Sequence, residues 1–391
     1  MSPGIPQTTM KLVDEFRDPD KAQALATHIR EVLPKVMADR RRTLQIMEFC
    51  GGHTHTIFKF GLEELLPEGI ELVHGPGCPV CVLPMGRIDD AIAIAHQPNV
   101  IFTTFGDAMR VPGSRQSLLQ AKADGADIRM VYSPTDALAL ARQHPEKRVV
   151  FFALGFETTM PSTALTVLQA EKEGLGNFSL FCNHITTVPT IKAVLDSPAM
   201  QIDGFIAPGH VSMVVGEQPF QFVAGHYNKP IVIAGFEPLD ILQALSMLID
   251  QFAESRCEVA NQYTRVAPPE GNPAGLAAIH KVFELREFFE WRGLGSIDHS
   301  GVKMRPAFAQ FDAECIFDVP NVRIADPKSA QCGEVVKGVI KPWECKVFGK
   351  ACTPQTPVGA LMVSSEGACA AYYNYGKHIP RVDALRFDAT E

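Results

Sequence analysis

The stretch "LQIMEFCGGHTH", residues 44–55, is the one whose reading decides the fold. A short apolar run stops at a cysteine, a Gly-Gly pair and two histidines, with a helix expected from about His53. A run that is apolar at successive positions marks a strand buried on both faces. The same grammar recurs along the chain. "IELVH" leads into "GPGCPVC", "VIFTTF" into "GDAMRVPG", "VVFFAL" into "GFETT", "GFIA" into "PGHVS" and "PIVIA" into "GFEPLD". Helix-like segments such as "MGRIDDAIAIAH" and "DILQALSMLIDQF" alternate with these runs, which is the signature of parallel α/β sheets. In such sheets the carboxyl ends of the strands form the ligand crevice, so the decorated strand ends imply one shared site.

With "IRMVY" and "FSLFC" the runs number eight, too many for a comfortable single sheet, and two parallel sheets of about four strands each are expected. The break is expected near "RQHPEKR", residues 142–148. "ALGFETT" and "IAGFEPL" echo one another, each putting Gly-Phe-Glu between a strand and a helix. Beyond "VAPPEGNPAG" the pattern is lost and five of the ten cysteines follow. The expected organisation is an α/β domain over 1–145, a second over 146–256 facing it across a cleft, and a cysteine-held domain over 257–391. "RDPDKAQALATHIREVL" adds an opening amphipathic helix, with Asp18 as N-cap and Pro19 at the first helical position.

Composition narrows the function. The chain has 391 residues, of which 46% are hydrophobic and 20% charged, as in ordinary globular proteins. The formal net charge is -8 and the longest basic block is Arg40 to Arg42, which argues against nucleic acid as a partner. No apolar run reaches membrane-spanning length and the N-terminus lacks the order of a signal peptide, so a cytoplasmic protein is expected. In a reducing compartment ten cysteines point to metal ligation, redox work or simple burial.

Cys50 stands between a strand and a helix, where the helix dipole and the Gly-Gly turn favour thiolate and make the sulfur a nucleophile or a soft metal ligand. The competing reading is a buried apolar cysteine. His53 and His55 point to opposite sides of a helix, so at most one joins Cys50. Cys78 and Cys81 form a C-x-x-C pair leading into a helix at about Pro84, with Arg87 and His74 near in sequence; it reads first as redox-active and second as half of a zinc site. Asp107, Glu157 and Glu237 each follow a strand, where a carboxylate also serves as a helix cap. His184 and His210 are either site residues or satisfied core histidines. Cys332, Cys345, Cys352 and Cys369, spaced C-x12-C-x6-C-x16-C, suit zinc or an iron–sulfur cluster, although neither the zinc-ribbon nor the ferredoxin spacing is present. Cys182, Cys257 and Cys315 are read as structural.

Taken together, "CGGHTHTIFKFG", "GPGCPVCVLPMGR", "FGDAMRVPG", "LGFETTMP", "PGHVSMV", "AGFEPLD" and the closing "CGEV" and "SSEGACAA" closely resemble the hydrogenase maturation factor HypD family over nearly the whole chain. The part least fixed by motif is Cys257 to Pro320. The resemblance implies a scaffold on which the Fe(CN)2CO group of [NiFe]-hydrogenase is built. It implies that a small HypC-type chaperone shares the iron with Cys50, with His53 nearby, and hands the product to the hydrogenase large subunit. It further implies that HypE delivers cyanide as a thiocyanate, supplied indirectly through HypF. The last four cysteines would hold a [4Fe-4S] cluster, and Asp107, His210 and Glu366 match positions the family treats as functional.

Residue chemistry agrees with that picture. Freeing cyanide from R–S–C≡N requires two electrons, and a dithiol closing to a disulfide supplies two. A soft thiolate suits an iron that also binds CO and CN⁻. A stand-alone thiol–disulfide oxidoreductase would explain Cys78 and Cys81 but would leave Cys50 and the histidines without a task. A zinc-stabilised nucleotide- or small-molecule-binding enzyme lacks the G-x-x-x-x-G-K-[ST] or G-x-G-x-x-G signature.

Overall fold

A computed structural model describes residues 14–197, 201–319, 322–325 and 327–376; the outer ends of the first and last expected domains lie outside them. The chain opens with α1 (Pro19–Met37), β1 (Leu44–Glu48), α2 (Gly51–Lys59), α3 (Leu62–Leu65), β2 (Ile70–His74) and α4 (Met85–Ala95). It continues with β3 (Val100–Thr104), α5 (Leu118–Ala123), β4 (Ile128–Met130), α6 (Pro134–Gln143), β5 (Arg148–Gly155), α7 (Met160–Glu173), β6 (Phe178–His184) and α8 (Thr187–Leu195). Then come β7 (Gly204–Pro208), α9 (Gly209–Val215), α10 (Gln221–Gly225), β8 (Ile231–Ala234), α11 (Pro238–Ala253), β9 (Val259–Asn261) and α12 (Pro273–Val282). The last part holds β10 (Phe283–Leu285), β11 (Phe288–Trp291), β12 (Gly295–Asp298), β13 (Val302–Met304), α13 (Ala313–Ile316), α14 (Cys332–Val336) and α15 (Ala368–Tyr375). As expected, Asp18 caps α1, accepting from the amides of Asp20 and Lys21, and Pro19 takes the first helical position.

The fold is α/β with two parallel sheets. Sheet A has the order β2-β1-β7-β8-β9 and sheet B the order β4-β3-β5-β6. β5 shows why its sequence reads as a continuous apolar run: Val150, Phe152 and Leu154 enter one hydrophobic cluster, while Val149, Phe151 and Ala153 enter another. Helices cover both faces, so neither side-chain parity meets water. Burying one of these phenylalanines contributes roughly 1.5–3 kcal/mol.

Sheet membership does not follow the divisions expected at 145 and 256. β3 and β4 pair into sheet B with β5 and β6, and the chain then returns to sheet A, where β7 docks beside β1. Strand pairing is non-local, and the crossover helices α4 and α8 carry the chain from one sheet to the other and back, which no local pattern announces. The region after 257 closes no separate core among the described residues. Val282 and Phe311 pack with one face of sheet B, Phe289 and Trp291 pack with sheet A, and Cys352, Cys369 and Tyr372 share a cluster with Ile88 and Phe152. No helix among the described residues is long and apolar enough to cross a membrane.

Candidate functional site

In sheet A the chain leaves β1 toward β2 on one side and later sets β7 on the other. That reversal puts the carboxyl ends of β1 and β7 at a topological switch point, the place where open α/β sheets bind ligands. Cys50 follows β1 and His210 follows β7. The two meet there, with Cys50 Sγ 3.6 Å from Nδ1 and 3.9 Å from Nε2 of His210.

The backbone around Cys50 is fixed by its neighbours. Cys50 is the N-cap of α2, yet its side chain makes no capping hydrogen bond. Glu48 supplies the tie instead. Fully buried at the end of β1, its carboxylate accepts from the Cys50 amide at 2.7 Å, from the Thr54 hydroxyl, and from His74 Nδ1 at 2.9 Å. The loop after β2 interlocks with this one: the Gly51 amide donates to the Gly77 carbonyl at 3.2 Å, and a Cβ on Gly77 would sit 2.3 Å from the Cys50 nitrogen. Glycine at 77 thus lets the two cysteine loops touch through their backbones.

The electrostatics of Cys50 differ from the expectation of a favoured thiolate. Cys50 is only 2% exposed, and burial, with the Glu366 and Glu48 carboxylates adding to it, pushes the thiol well above its ordinary pKa. The amides of Gly52 and His53 pull the other way and are outweighed. Desolvation beats the helix terminus here.

His53 does not face Cys50 as a partner. It is wholly buried, its Nε2 donates to the Ala234 carbonyl at 3.2 Å, and its ring stacks on Phe236 at 4.9 Å, leaving Nδ1 unpartnered. Phe236 also packs against His210, at 4.9 Å. Burial pushes His210 down to about 4, with His53 adding to it, and lowers His53 as well. Both rings are therefore neutral at physiological pH, the form that ligates metals. His55, on the other side of α2, donates to the Ser365 carbonyl at 3.4 Å and meets the edge of Tyr375.

Cys78 and Cys81 are joined as a disulfide with a Cα separation of 5.2 Å, and α4 begins just after them with Pro84 as its N-cap. Arg87 does not serve the pair; it is engaged by Asn183 and Glu314. The turn from Ser364 to Gly367 touches both cysteine loops. A Cβ on Gly51 would lie 2.5 Å from the Glu366 Cβ, and one on Gly367 would lie 3.0 Å from Cys81 Sγ. Burial lifts the Glu366 carboxyl above its ordinary range, with the charges of Asp107 and Glu48 contributing. Asp107 itself is exposed, in a 3-10 turn over Asp107–Arg110, and pairs with Arg110 at 3.7 Å.

Cys332, Cys345, Cys352 and Cys369 line one pocket with Val335, Phe348 and Leu361. All are free thiols. A Cβ on Gly359 would fall 2.3 Å from Cys332 Sγ, and the Gly359 amide donates to Cys352 Sγ at 3.4 Å. Burial pushes the Cys369 thiol well above its ordinary range, and the other three cysteines push in the same direction. Four cysteine sulfurs gathered in one apolar pocket fit a cationic thiolate-bound group.

Other sequence-level candidates have structural tasks. Glu157 accepts from the amide and the hydroxyl of Thr187, both at 2.8 Å, and so holds the start of α8. Glu237 caps α11 and pairs with Arg17 at 2.5 Å. His184 is buried against Thr163, with its pKa pushed down to about 4 by burial. Cys182 is buried with its thiol pushed up to about 12, and Cys257 faces the Ala224 carbonyl. Sequence reasoning missed Glu48, and it set His74 beside the C-x-x-C pair, whereas the ring pairs with Glu48. One signal was available, since a glutamate inside an apolar strand run requires buried partners.

The family profile described as HypD, Hydrogenase formation hypA family, matches residues 20–376. The chain is 57% identical over 371 residues to the hydrogenase maturation factor HypD of Rhodobacter capsulatus, covering 94% of this chain and 98% of that one. It is 55% identical over 366 residues to the factor of the same name in Escherichia coli, covering 94% and 98%. A third, from Cupriavidus necator, is 50% identical over 384 residues, covering 96% of this chain and all of that one. The chain belongs to the HypD family of hydrogenase maturation factors.

Proposed function

We propose that the chain is a cytoplasmic scaffold on which iron, shared with a HypC-type chaperone, receives the CN⁻ and CO ligands of the [NiFe]-hydrogenase centre before transfer to the large subunit. The observation that carries this reading is the position of Cys50 at a topological switch point, beside His210 and Glu366 and interlocked with the Cys78–Cys81 loop. A thiol that resists ionising alone, flanked by a neutral imidazole and carboxylates, ionises once a divalent cation neutralises those charges. The lifted Glu366 carboxyl is the adjacent group to take the Sγ proton as iron binds.

Cyanide arriving from HypE as R–S–C≡N leaves as CN⁻ on iron when two electrons enter the S–C bond. In the reduced state, closure of the Cys78 and Cys81 thiols to the disulfide seen here releases those two electrons and two protons, one taken up by the carrier thiolate and the other passing to solvent, and the pair must be reduced again before each round. The pair already stands at bonding separation. Cys332, Cys345, Cys352 and Cys369 would hold a [4Fe-4S] cluster, which supplies single-electron transfers when bound. A stand-alone thiol–disulfide oxidoreductase is disfavoured because it gives no task to the Cys50–His210 encounter beside the pair.

The test is infrared spectroscopy of anaerobic protein co-purified with its chaperone. Bands of iron-bound CO and CN⁻ are expected in the native complex and none after Cys50→Ala, with the brown cluster colour retained. Bands that survive the substitution would overturn the iron-ligand role of Cys50.

A further inference from the structure

The turn that carries Glu366 is tied from two sides. Within it, the Gly367 amide donates to the Ser364 carbonyl at 2.9 Å and the Glu366 amide to Ser364 Oγ at 3.3 Å, which sets the local shape. Those bonds do not fix where the turn lies relative to Cys50. From the sheet A side, His55 holds the Ser365 carbonyl and Gly51 lets the Glu366 backbone come close. From the sheet B side, Arg110, in the 3-10 turn after β3, donates from Nη2 to the Val363 carbonyl at 2.5 Å while pairing with Asp107 at 3.7 Å.

We propose that Arg110 is a positioning residue that fixes the Glu366 turn, and Asp107 with it, against Cys50, with His55 as the opposing tie. The proposal rests on the iron-scaffold reading above. Two features make a guanidinium suited to this task. Its several N–H donors point in fixed directions, so one group serves a carbonyl and a carboxylate at once. It also joins two carboxylate-bearing segments whose charges oppose one another, at a turn whose flanks, Val363 and Ala368, are anchored in the core. The contact spans 253 positions of sequence and ties the loop of sheet B to the C-terminal region across the site that sheet A supplies. His55 thereby has a task that does not require it to touch iron.

The proposal is tested on the metal-free full chain by the rate at which iodoacetamide modifies individual cysteines, read by peptide mass spectrometry. Arg110→Met should raise modification of Cys50 about threefold or more by freeing the turn that shields it, with Cys182 unaffected. Arg110→Lys, which keeps a donor for the Val363 carbonyl, should return the rate close to native. His55→Phe, which keeps an aromatic edge on Tyr375 and loses the bond to Ser365, should raise it less. An unchanged Cys50 rate in Arg110→Met overturns the proposal, and so does parallel exposure of Cys182, since Arg110 would then serve the fold as a whole. If Arg110→Met fails to fold, the His55→Phe rate decides alone, and a native value there removes the two-sided tie. No iron enters this measurement, so its failure is separate from loss of the infrared bands that would sink the scaffold reading.

Discussion

The carboxyl ends of the two sheets invite comparison because each contains a strand-order reversal, between β1 and β7 in sheet A and between β3 and β5 in sheet B. At the first, Cys50 and His210 face one another and neither spends its reactive atom on holding the backbone. At the second, Glu157 is consumed by Thr187, and Asp107 is paired with Arg110. Equal architecture thus has unequal use: sheet A offers reactive atoms and sheet B braces. What separates them is whether the polar groups have partners left to find, not the presence of a crevice.

The contrast can be broken or sharpened by substitution. The largest stability effect is expected at Glu48, where truncation to alanine strands the Cys50 amide, the Thr54 hydroxyl and His74 Nδ1 together. We expect a loss of about 4 kcal/mol by denaturant unfolding, at roughly 1–3 kcal/mol for each stranded buried donor with partial relaxation. The infrared bands should vanish with it. A loss under about 1 kcal/mol would show that the Cys50 loop needs no such anchor.

The next effect is a pH dependence in sheet B. His184 has its folded pKa depressed to about 4 against an unfolded value near 6.5, so below pH 6.5 the unfolded chain binds the extra proton first. Stability is therefore full above about pH 6.5 and declines as pH falls toward 4, by at most about 3 kcal/mol from this group. Unfolding curves of His184→Gln should be flatter over that window; an identical slope would show that the imidazole is not buried neutral. The smallest effect is expected for Glu157→Ala, about 2 kcal/mol from the lost tie to α8. Infrared bands should be retained at low temperature. Their loss would mean that sheet B contributes chemistry as well as bracing.

Much of the fold was legible because strands such as Val149–Leu154 are apolar on both parities and stop at glycines. The pairing of those strands was not legible, since β1 finds β7 some 150 residues on, through contacts that carry no local signature. The Cys50–His210 encounter was hidden for the same reason. Glu48 went unnoticed because its neighbours made the run look like plain core, and nothing in the sequence told that His210 lies against the Cys50 sulfur while His53 turns to the Ala234 carbonyl. The four late cysteines were legible as a set by count and setting, but only the fold shows one pocket collecting them.

The interleaving of the sheets also dictates a birth order. Emerging from the ribosome, β1 and β2 must wait for some hundred residues of sheet B before β7 arrives to complete their sheet. His210 and, after it, Glu366 reach Cys50 later still. A chain made only as far as β6 therefore owns the sulfur without its companions, and the Cys50–His210 encounter forms only after sheet B has emerged.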